Sequence, residues 1–389
     1  MKPGAIDRCI AFIKSQYEGE EPVALHAPRF LGNEKKYLSD CIDSTFVSSV
    51  GKYVERFEKQ CADYCGAKYA VAVVNGTAAL HMALVLKGIG PGDGVITQAL
   101  SFVATANAIH YTGASPVFVD VDRDTLSLSP AKLEDFLKTE SVLRDGARIH
   151  KASGLRLRSC IVMHTFGHPG RMRELLRVCE HFGLVLIEDA AEGMGSFLDG
   201  RHLGTFAPIG ALSFNGNKII TTGGGGMLLF DDEALARKAR HLTTTAKVPH
   251  SWEYDHDAAG YNYRMPNLNA ALGLAQIEQL PGFLASKRAL AAAYSKFFYD
   301  EGIAFISEPA GAVANYWLNA IALGDRRERD TFLEKTNAAG VMTRPLWKLL
   351  DGLPPYQQCP RANLDNARWL EDRVVNIPSS VTRWRDGKT

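Results

Sequence analysis

The sequence lacks a strong excess of charge of either sign. It has 44 lysines and arginines against 43 aspartates and glutamates among 389 residues, so its formal net charge is +1. Such a balance offers no general electrostatic attraction toward nucleic acid or an anionic membrane. We therefore expect neither nucleic acid nor a membrane to be a partner.

Cysteine is scarce, and long apolar runs are missing. The seven cysteines are scattered, odd in number and without CxxC spacing, which indicates neither a disulfide framework nor a zinc site. The first residues, Met1-Lys-Pro-Gly-Ala-Ile6, lack the apolar segment of a signal peptide, and no run approaches the length of a membrane span. The sequence predicts a cytoplasmic protein with reduced thiols and no bound metal.

What the sequence does have is the length and composition for a large core. Its hydrophobic fraction is 46%, and its strands and helices alternate along the first 230 residues or so. This alternation predicts an α/β fold with a mostly parallel sheet and right-handed crossovers. We predict an N-terminal arm over residues 1–33, a large domain over 34–260, and linking helices with a small α+β domain over 261–389. Residues 134–158 are predicted to form a surface helix and an irregular loop.

One lysine has an unusual setting. An apolar, strand-like run, Ile209–Phe214, precedes Lys218, and four consecutive glycines, 223–226, follow it. Glycine lets the backbone approach another group closely. Loss of solvation would lower the pKa of the Lys218 amine and make it a better nucleophile toward a carbonyl such as that of pyridoxal phosphate (PLP). The alternative is an ordinary surface lysine in a flexible loop.

A carboxylate upstream complements this lysine. Leu184–Ile187 is a short apolar run that suits a buried strand, and Asp189 lies just beyond it. Open α/β sheets place their ligand sites at such strand ends. Because PLP enzymes need a carboxylate against the pyridinium nitrogen, Asp189 is the candidate for that role.

The two motifs together resemble a known family. Glu188-Asp-Ala-Ala-Glu192, followed by Ser213-Phe-x-x-x-Lys218 and the four glycines, resembles the sugar aminotransferases of the DegT/DnrJ/EryC1/StrS family. These are PLP-dependent enzymes of fold type I, the aspartate aminotransferase fold. The resemblance runs from about His26 to about Pro378. It implies that Lys218 and Asp189 are catalytic, and that an amino group passes from L-glutamate to a nucleotide-linked keto-sugar.

The resemblance also implies roles for other residues. A helix start with free N–H groups suits the cofactor phosphate, although any helix can start in this way. Phe102 would stack on the pyridine ring, or be an ordinary core phenylalanine. Asn262 would reach the phosphate of a neighbouring subunit, which implies a homodimer with shared active sites. The cofactor-binding residues implied are Gly76, Thr77, Ala78, Phe102, His164, Asp189, Glu192, Ser213, Lys218 and Asn262.

The substrate is predicted on shorter segments. Val47, Ser48 and Ser49 lie in a loop that reaches the sugar in the family, although a plain connector explains them equally well. The segments Phe46–Gly51, Asn315–Ala320 and Thr343–Trp347 look most like the subgroup that aminates C4 of a UDP-linked 4-keto-6-deoxy-N-acetyl-hexosamine, on the way to legionaminic acid or bacillosamine. A GDP-perosamine-type 4-aminotransferase is the alternative.

Two alternatives with the same fold do not involve transamination. A sugar dehydratase would carry histidine in place of Lys218, and a regulatory binding protein would have lost the lysine or the aspartate. The sequence keeps both Lys218 and Asp189. Many relatives also carry a histidine after the Arg-Pro-x-Trp motif, where this chain has Asp351, so the role of that histidine is not carried over.

Overall fold

The computed structural model describes residues 2–382, and helices alternate with strands over most of them. The α-helices are α1 (Ala5–Gln16), α2 (Glu34–Asp43), α3 (Lys52–Cys65), α4 (Gly76–Leu86), α5 (Val103–Tyr111), α6 (Pro130–Glu140), α7 (Met172–Phe182), α8 (Glu233–Thr243), α9 (Asn267–Ile277), α10 (Leu280–Glu301), α11 (Arg326–Ala338) and α12 (Asp365–Glu371). Short 3₁₀ turns cover Thr165–Gly167, Leu350–Gly352 and Pro354–Tyr356. No helix in this described range is long and apolar enough to cross a bilayer.

The strands are short, and the central ones are almost wholly buried. They are β1 (Tyr69–Val73), β2 (Asp93–Gln98), β3 (Ser115–Val119), β4 (Ser141–Arg144), β5 (Ala147–His150), β6 (Arg156–Met163), β7 (Val185–Asp189), β8 (Phe197–Leu198), β9 (Arg201–His202), β10 (Gly210–Ser213), β11 (Gly226–Phe230), β12 (Ala304–Phe305), β13 (Ala312–Val313), β14 (Asn319–Ala322), β15 (Arg344–Pro345) and β16 (Val374–Ile377).

The central sheet is mixed and mostly parallel. Its strands lie in the order β1-β11-β10-β7-β6-β2-β3, and the neighbouring pairs from β10 to β3 are all parallel. Only β11 runs antiparallel to its neighbours β1 and β10 on this path. Ile161 and Ile187 are fully buried at the centre, because helices cover both faces of such a sheet. The predicted α/β fold is therefore confirmed.

The segment predicted as an irregular loop contains a β-hairpin. β4 follows α6 directly and pairs with β5 in the antiparallel sense. Asp145 and Gly146 make the turn, with φ values of 49° and 76°. An Asp-Gly pair supplies the two positive φ angles of a type I′ turn. The predicted surface helix is present as α6, and only the irregular loop is wrong, because the many charged residues around this Asp-Gly pair obscure its turn signal.

A second, antiparallel sheet lies near the C-terminus, in the order β12-β14-β16-β15. Helix α1 belongs to its core, since Ile6, Cys9 and Ile13 are buried in one cluster with Phe332 and Val375. The apolar face of the N-terminal arm therefore packs against elements from the other end of the chain. The domain boundaries at residues 33/34 and 260/261 stay a prediction.

The carboxyl ends of the parallel strands β7 and β10 meet at one edge of the central sheet, because these strands are direct neighbours. β7 ends at Asp189 and β10 ends at Ser213. Helix α4 begins shortly after β1 ends, and Gly226, the first residue of β11, lies against the backbone of Gly76. Open α/β sheets bind ligands at this kind of edge.

Candidate active site

Lys218 lies in the turn that follows β10, and its amine has two neighbours. Nζ is 3.2 Å from Oε1 of Glu192 and 3.9 Å from the centre of the Trp317 indole ring. Only 12% of the lysine side chain is exposed. The sequence predicts apolar and glycine surroundings for this amine. The structure adds a carboxylate and an aromatic face, which both attract its charged form.

Glu192 is buried beside this amine. Its Oε2 accepts a hydrogen bond of 2.8 Å from the backbone N–H of Phe166. Burial raises the pKa of Glu192 to about 7, and the neighbouring charge of Lys218 opposes that rise. A carboxyl group of this pKa can change its charge near neutral pH.

Asp189 is the last residue of β7, and its carboxylate is buried. It accepts hydrogen bonds from the Thr105 hydroxyl, at 2.6 Å, and from the backbone N–H of Ala191, at 3.2 Å. Burial raises the pKa of Asp189, and the Thr105 hydrogen bond opposes the rise. Among the described residues, no side-chain cation lies within ion-pair distance of this carboxylate. A buried carboxylate without a cation suits a protonated ring nitrogen.

The start of helix α4 lies against the end of β10. A Cβ atom added to Gly76 would come within 2.9 Å of the Ser213 side chain, so glycine permits this close approach. The N–H groups of Gly76 and Thr77 have no acceptor inside their own helix. The N–H of Ala78 differs, because it donates to the side chain of Asn75 at 2.8 Å. The arrangement therefore offers a phosphate two amides and a serine hydroxyl at a positive helix end.

Phe102 lies at the start of α5 and is 49% exposed. Its ring meets the Trp347 ring edge-on, with centroids 6.1 Å apart. Trp347 in turn lies 5.3 Å from the ring of Phe166, the residue whose N–H binds Glu192. A large exposed aromatic ring next to the site suits the predicted stacking role better than a place in the core, and that role stays a prediction.

His164 is fully buried, and both of its ring nitrogens have partners. Nε2 lies 3.0 Å from Oε2 of Glu188, and Nδ1 lies 3.3 Å from the N–H of Gly170. Glu188 and Asp189 are consecutive in β7, so their side chains point to opposite faces of the sheet. The ring of His164 therefore lies on the Glu188 side of the strand, and its predicted place near the cofactor stays untested.

The predicted substrate loop is tied to helix α9. The N–H of Asn267 donates to the carbonyl of Ser48 at 2.6 Å, and its side chain donates to the carbonyl of Phe46 and accepts from the N–H of Tyr53. Val47 and Ser48 are exposed, and Ser49 is partly buried. These exposed side chains are available to a ligand, and the role of the three residues stays a prediction.

Asn262 is exposed in the segment between α8 and α9, where its backbone pairs with Thr244. An exposed amide at this position is available to a second subunit, as the resemblance implies.

Asp351 has a clear structural partner, since its Oδ2 accepts a hydrogen bond of 2.9 Å from Arg368. The N–H of its neighbour Leu350 donates to the carbonyl of Ala99, the residue that follows β2.

Several residues of the site are not predicted by the sequence. Trp317 lies inside a segment, Asn315–Ala320, that indicates only a subgroup and no role for the tryptophan. Thr105 and Phe166 carry no signal at all. A hydroxyl one turn into a helix and a backbone N–H after a strand become parts of a site only when the fold brings them to Asp189 and Glu192.

The donor set fits PLP. Lys218 would hold the cofactor aldehyde, Asp189 would pair with its ring nitrogen, and the start of α4 with Ser213 would bind its phosphate. Phe102 would offer an aromatic ring on which the flat heterocycle could stack. Fold and site together define a PLP-dependent enzyme of fold type I.

Comparison with known proteins gives the family. The model of the DegT/DnrJ/EryC1/StrS aminotransferase family matches residues 30–384, so the chain belongs to this family. The GDP-perosamine synthase of Caulobacter vibrioides is 36% identical over 362 residues, which cover 92% of this chain and 93% of the relative. The chain is a PLP-dependent sugar aminotransferase, and the predictions of family, fold, enzyme class and cofactor are confirmed.

Two further similarities agree with this result. EpsN of Bacillus subtilis, named as a putative pyridoxal phosphate-dependent aminotransferase, is 38% identical over 335 residues, covering 86% of this chain and 84% of the relative. The crystal structure of the aminotransferase TlmJ from Streptoalloteichus hindustanus matches with a TM-score of 0.83 at 28% identity, covering 92% of this chain and 93% of that one.

Proposed function

We propose that the enzyme transfers the amino group of L-glutamate to C4 of a GDP-linked 4-keto-6-deoxy-sugar, as in GDP-perosamine formation. The choice of GDP is supported by the nearly full-length similarity to a GDP-perosamine synthase. It replaces the UDP-linked sugar as first candidate. The UDP-linked N-acetyl-hexosamine remains the second candidate, on the resemblance of Phe46–Gly51, Asn315–Ala320 and Thr343–Trp347.

The observation that carries the transfer is the Lys218 amine, held beside the buried carboxylate of Glu192. Bound PLP supplies an electron sink that stabilises negative charge at the carbon that loses a proton. Lys218 is proposed to take that proton on Nζ and to return it two atoms further along, which completes a 1,3-proton shift. Nζ gains a positive charge when it takes the proton, and Glu192 at 3.2 Å compensates that charge.

The other residues are proposed to bind and orient. Asp189 keeps a proton on the ring nitrogen because its own buried charge has no cationic partner among the described residues. The amides of Gly76 and Thr77 and the hydroxyl of Ser213 bind the phosphate. The N–H of Ala78 already donates to the side chain of Asn75, so Ala78 contributes only by its place next to Gly76 and Thr77.

We also propose that two copies share their active sites, with Asn262 of one copy completing the phosphate site of the other. Asn262 is exposed in the single chain, which leaves it free to do so. A cytoplasmic location belongs to the same proposal, and it is supported by seven cysteines that are all free thiols.

The substrate is tested with two keto-sugars in parallel. The enzyme is first charged with L-glutamate and freed of excess donor. It is then mixed with GDP-4-keto-6-deoxymannose or with UDP-4-keto-6-deoxy-N-acetylglucosamine. We expect faster return of the PLP absorbance with the GDP sugar, and a GDP-amino-sugar of the matching mass. Faster return with the UDP sugar would reverse the choice of nucleotide, and no return with either would refute the proposed function.

A further inference from the structure

Trp317 contacts the catalytic amine from a distant part of the chain. It lies just before β14, a strand of the C-terminal sheet, whereas Lys218 follows β10 of the central sheet. Only 4% of Trp317 is exposed, and the Lys218 Nζ lies 3.9 Å above its ring centre. The amine therefore contacts both an indole face and the Glu192 carboxylate.

The indole ring is held in this position from several directions. Its Nε1–H donates to the carbonyl of Asn217 at 2.7 Å, which ties the ring to the residue before Lys218. The backbone N–H of Trp317 donates to the side chain of Asn315 at 2.7 Å. The carbonyl of Trp317 accepts from the buried amine of Lys287 at 3.2 Å. The first bond holds the ring itself, and the other two hold the backbone that carries it.

Asn315 connects the two neighbours of the amine. Its side-chain N–H₂ donates to the carbonyl of Glu192 at 2.7 Å, while its oxygen accepts from Trp317. Asn315 is fully buried. One amide therefore ties the backbone of Trp317 to the backbone of Glu192, the two residues whose side chains contact the amine.

We propose that Trp317 is a positioning residue for Lys218: its ring face holds the free amine beside Glu192 whenever the lysine is not joined to the cofactor. This inference rests on the proposed role of Lys218 as the proton carrier. When Nζ takes a proton it becomes an ammonium, and the negative face of an indole attracts an ammonium. The ring thus stabilises the product of the proton transfer and keeps the amine within reach for its return.

The test measures the amine itself in cofactor-free protein, so it needs no keto-sugar. Lys218 is acetylated at fixed pH, and its labelling rate is measured by mass spectrometry against exposed Lys59 as internal reference. Only the neutral amine reacts with the acetylating reagent. The labelling rate therefore rises when the ring holds the charged amine less strongly. Trp317→Leu is expected to raise the relative rate by roughly 3–10-fold. Trp317→Phe keeps an aromatic face and loses the same Asn217 hydrogen bond, so a smaller increase is expected.

A second variant set guards against misfolding. Tryptophan with one, two or three ring fluorines, incorporated only at position 317, keeps the shape and the N–H while weakening the negative face step by step. We expect the labelling rate of Lys218 to rise with each fluorine, and the rate of the glutamate half-reaction in PLP-loaded enzyme to fall in parallel. Labelling that does not change across the series overturns the proposal. Failure with both keto-sugars, with the labelling trend intact, would refute the proposed function alone.

Discussion

Two lysines contact the same tryptophan, one partly buried and one fully buried, and they differ in what surrounds the amine. Lys218 lies over the ring of Trp317, has the Glu192 carboxylate at 3.2 Å and keeps a small exposed fraction. Lys287 is fully buried, donates to the carbonyls of Trp317 and Ser379, and has no acidic partner among residues 2–382. Burial lowers the pKa of Lys287 from 10.5 to about 7.

The comparison shows that burial of a lysine amine does not by itself make it catalytic. A lysine whose lost solvation lowers its pKa is what the sequence predicts at position 218, and the structure shows that environment most clearly at Lys287. That amine is fully buried and donates to two backbone carbonyls, so it is not accessible from solvent. Lys218 has a carboxylate for charge balance and lies at the edge of the sheet where ligands bind. Access and a charge partner distinguish the catalytic amine from the structural one.

The largest effect is expected from removing the catalytic amine. Lys218→Ala is expected to lower the transamination rate by at least about a thousandfold, because both the cofactor link and the proton carrier are lost. Lys287→Met, an apolar replacement of similar length, is expected to retain the cofactor absorbance. Turnover of L-glutamate and the absorbance spectrum measure the two variants. If Lys287→Met lost the cofactor band and Lys218→Ala kept it, Lys287 would be the lysine that holds the cofactor.

Asp189→Asn gives the next largest effect. The neutral amide fills the same space beside Thr105 but cannot hold a proton on the ring nitrogen. We expect the rate of the glutamate half-reaction to fall by about a hundredfold. Stopped-flow absorbance measures it, with Thr105→Val as a matched variant that keeps the carboxylate and removes the hydrogen bonds of the Thr105 hydroxyl to Asp189 and Ser101. A rate unchanged in Asp189→Asn would exclude the carboxylate from catalysis.

Shared active sites are tested by mixing two defective variants. Asn262→Ala is expected to bind PLP about tenfold or more weakly, and Lys218→Ala is expected to be inactive. Each hybrid dimer then contains one intact site, with lysine from one subunit and asparagine from the other. Roughly a quarter of wild-type activity should return in an equal mixture after subunit exchange. No recovery in verified hybrid dimers would contradict the sharing of sites.

The smallest effect concerns stability, and it has a definite pH dependence. Lys287 has a pKa of about 7 in the folded chain and its ordinary value of 10.5 in the unfolded chain. Between these values the unfolded chain binds more protons, so the lysine makes the free energy of unfolding rise with pH. Below pH 7 the buried charged amine lowers the free energy of unfolding by its full amount. Above about pH 10.5 the lysine is neutral in both states, and this destabilisation is gone.

Lys287→Met removes that dependence. From pH 7 to pH 9, wild type is expected to gain about 2 kcal/mol relative to the variant, measured as the free energy of unfolding in urea. Lys59→Met, at an exposed position, serves as the control for loss of a charge. Parallel pH profiles of wild type and Lys287→Met would show that the buried amine keeps its charge in both states.

Much of the fold is accessible from the sequence, because buried parallel strands are short apolar runs and helices begin at small or polar residues. The site residues at the end of a strand or in the turn after one, Asp189 and Lys218, are accessible for the same reason. Gly76 and Ser213 are predicted separately, and only the pairing of β1 with β11 and β11 with β10 shows why they touch.

The remaining features depend on contacts over long sequence distances. Trp317 reaches Lys218 across about 100 residues, and nothing near it in sequence indicates an amine. Phe166 serves through its backbone N–H, which any residue type can supply. The side-chain pairing of His164 with Glu188, rather than with Asp189, follows from strand alternation once the exact end of β7 is known. Periodicity gives that end only to within a few residues.

The central claim is that Lys218, and not Lys287, carries the cofactor. PLP-loaded enzyme is treated with borohydride, which reduces the link between lysine and cofactor to a stable bond, and the digested protein is mapped by mass spectrometry. The account predicts a pyridoxyl-phosphate group on the peptide that contains Lys218, and its loss when L-glutamate is added before reduction. A label on Lys287, or a label on Lys218 that L-glutamate does not remove, would contradict it.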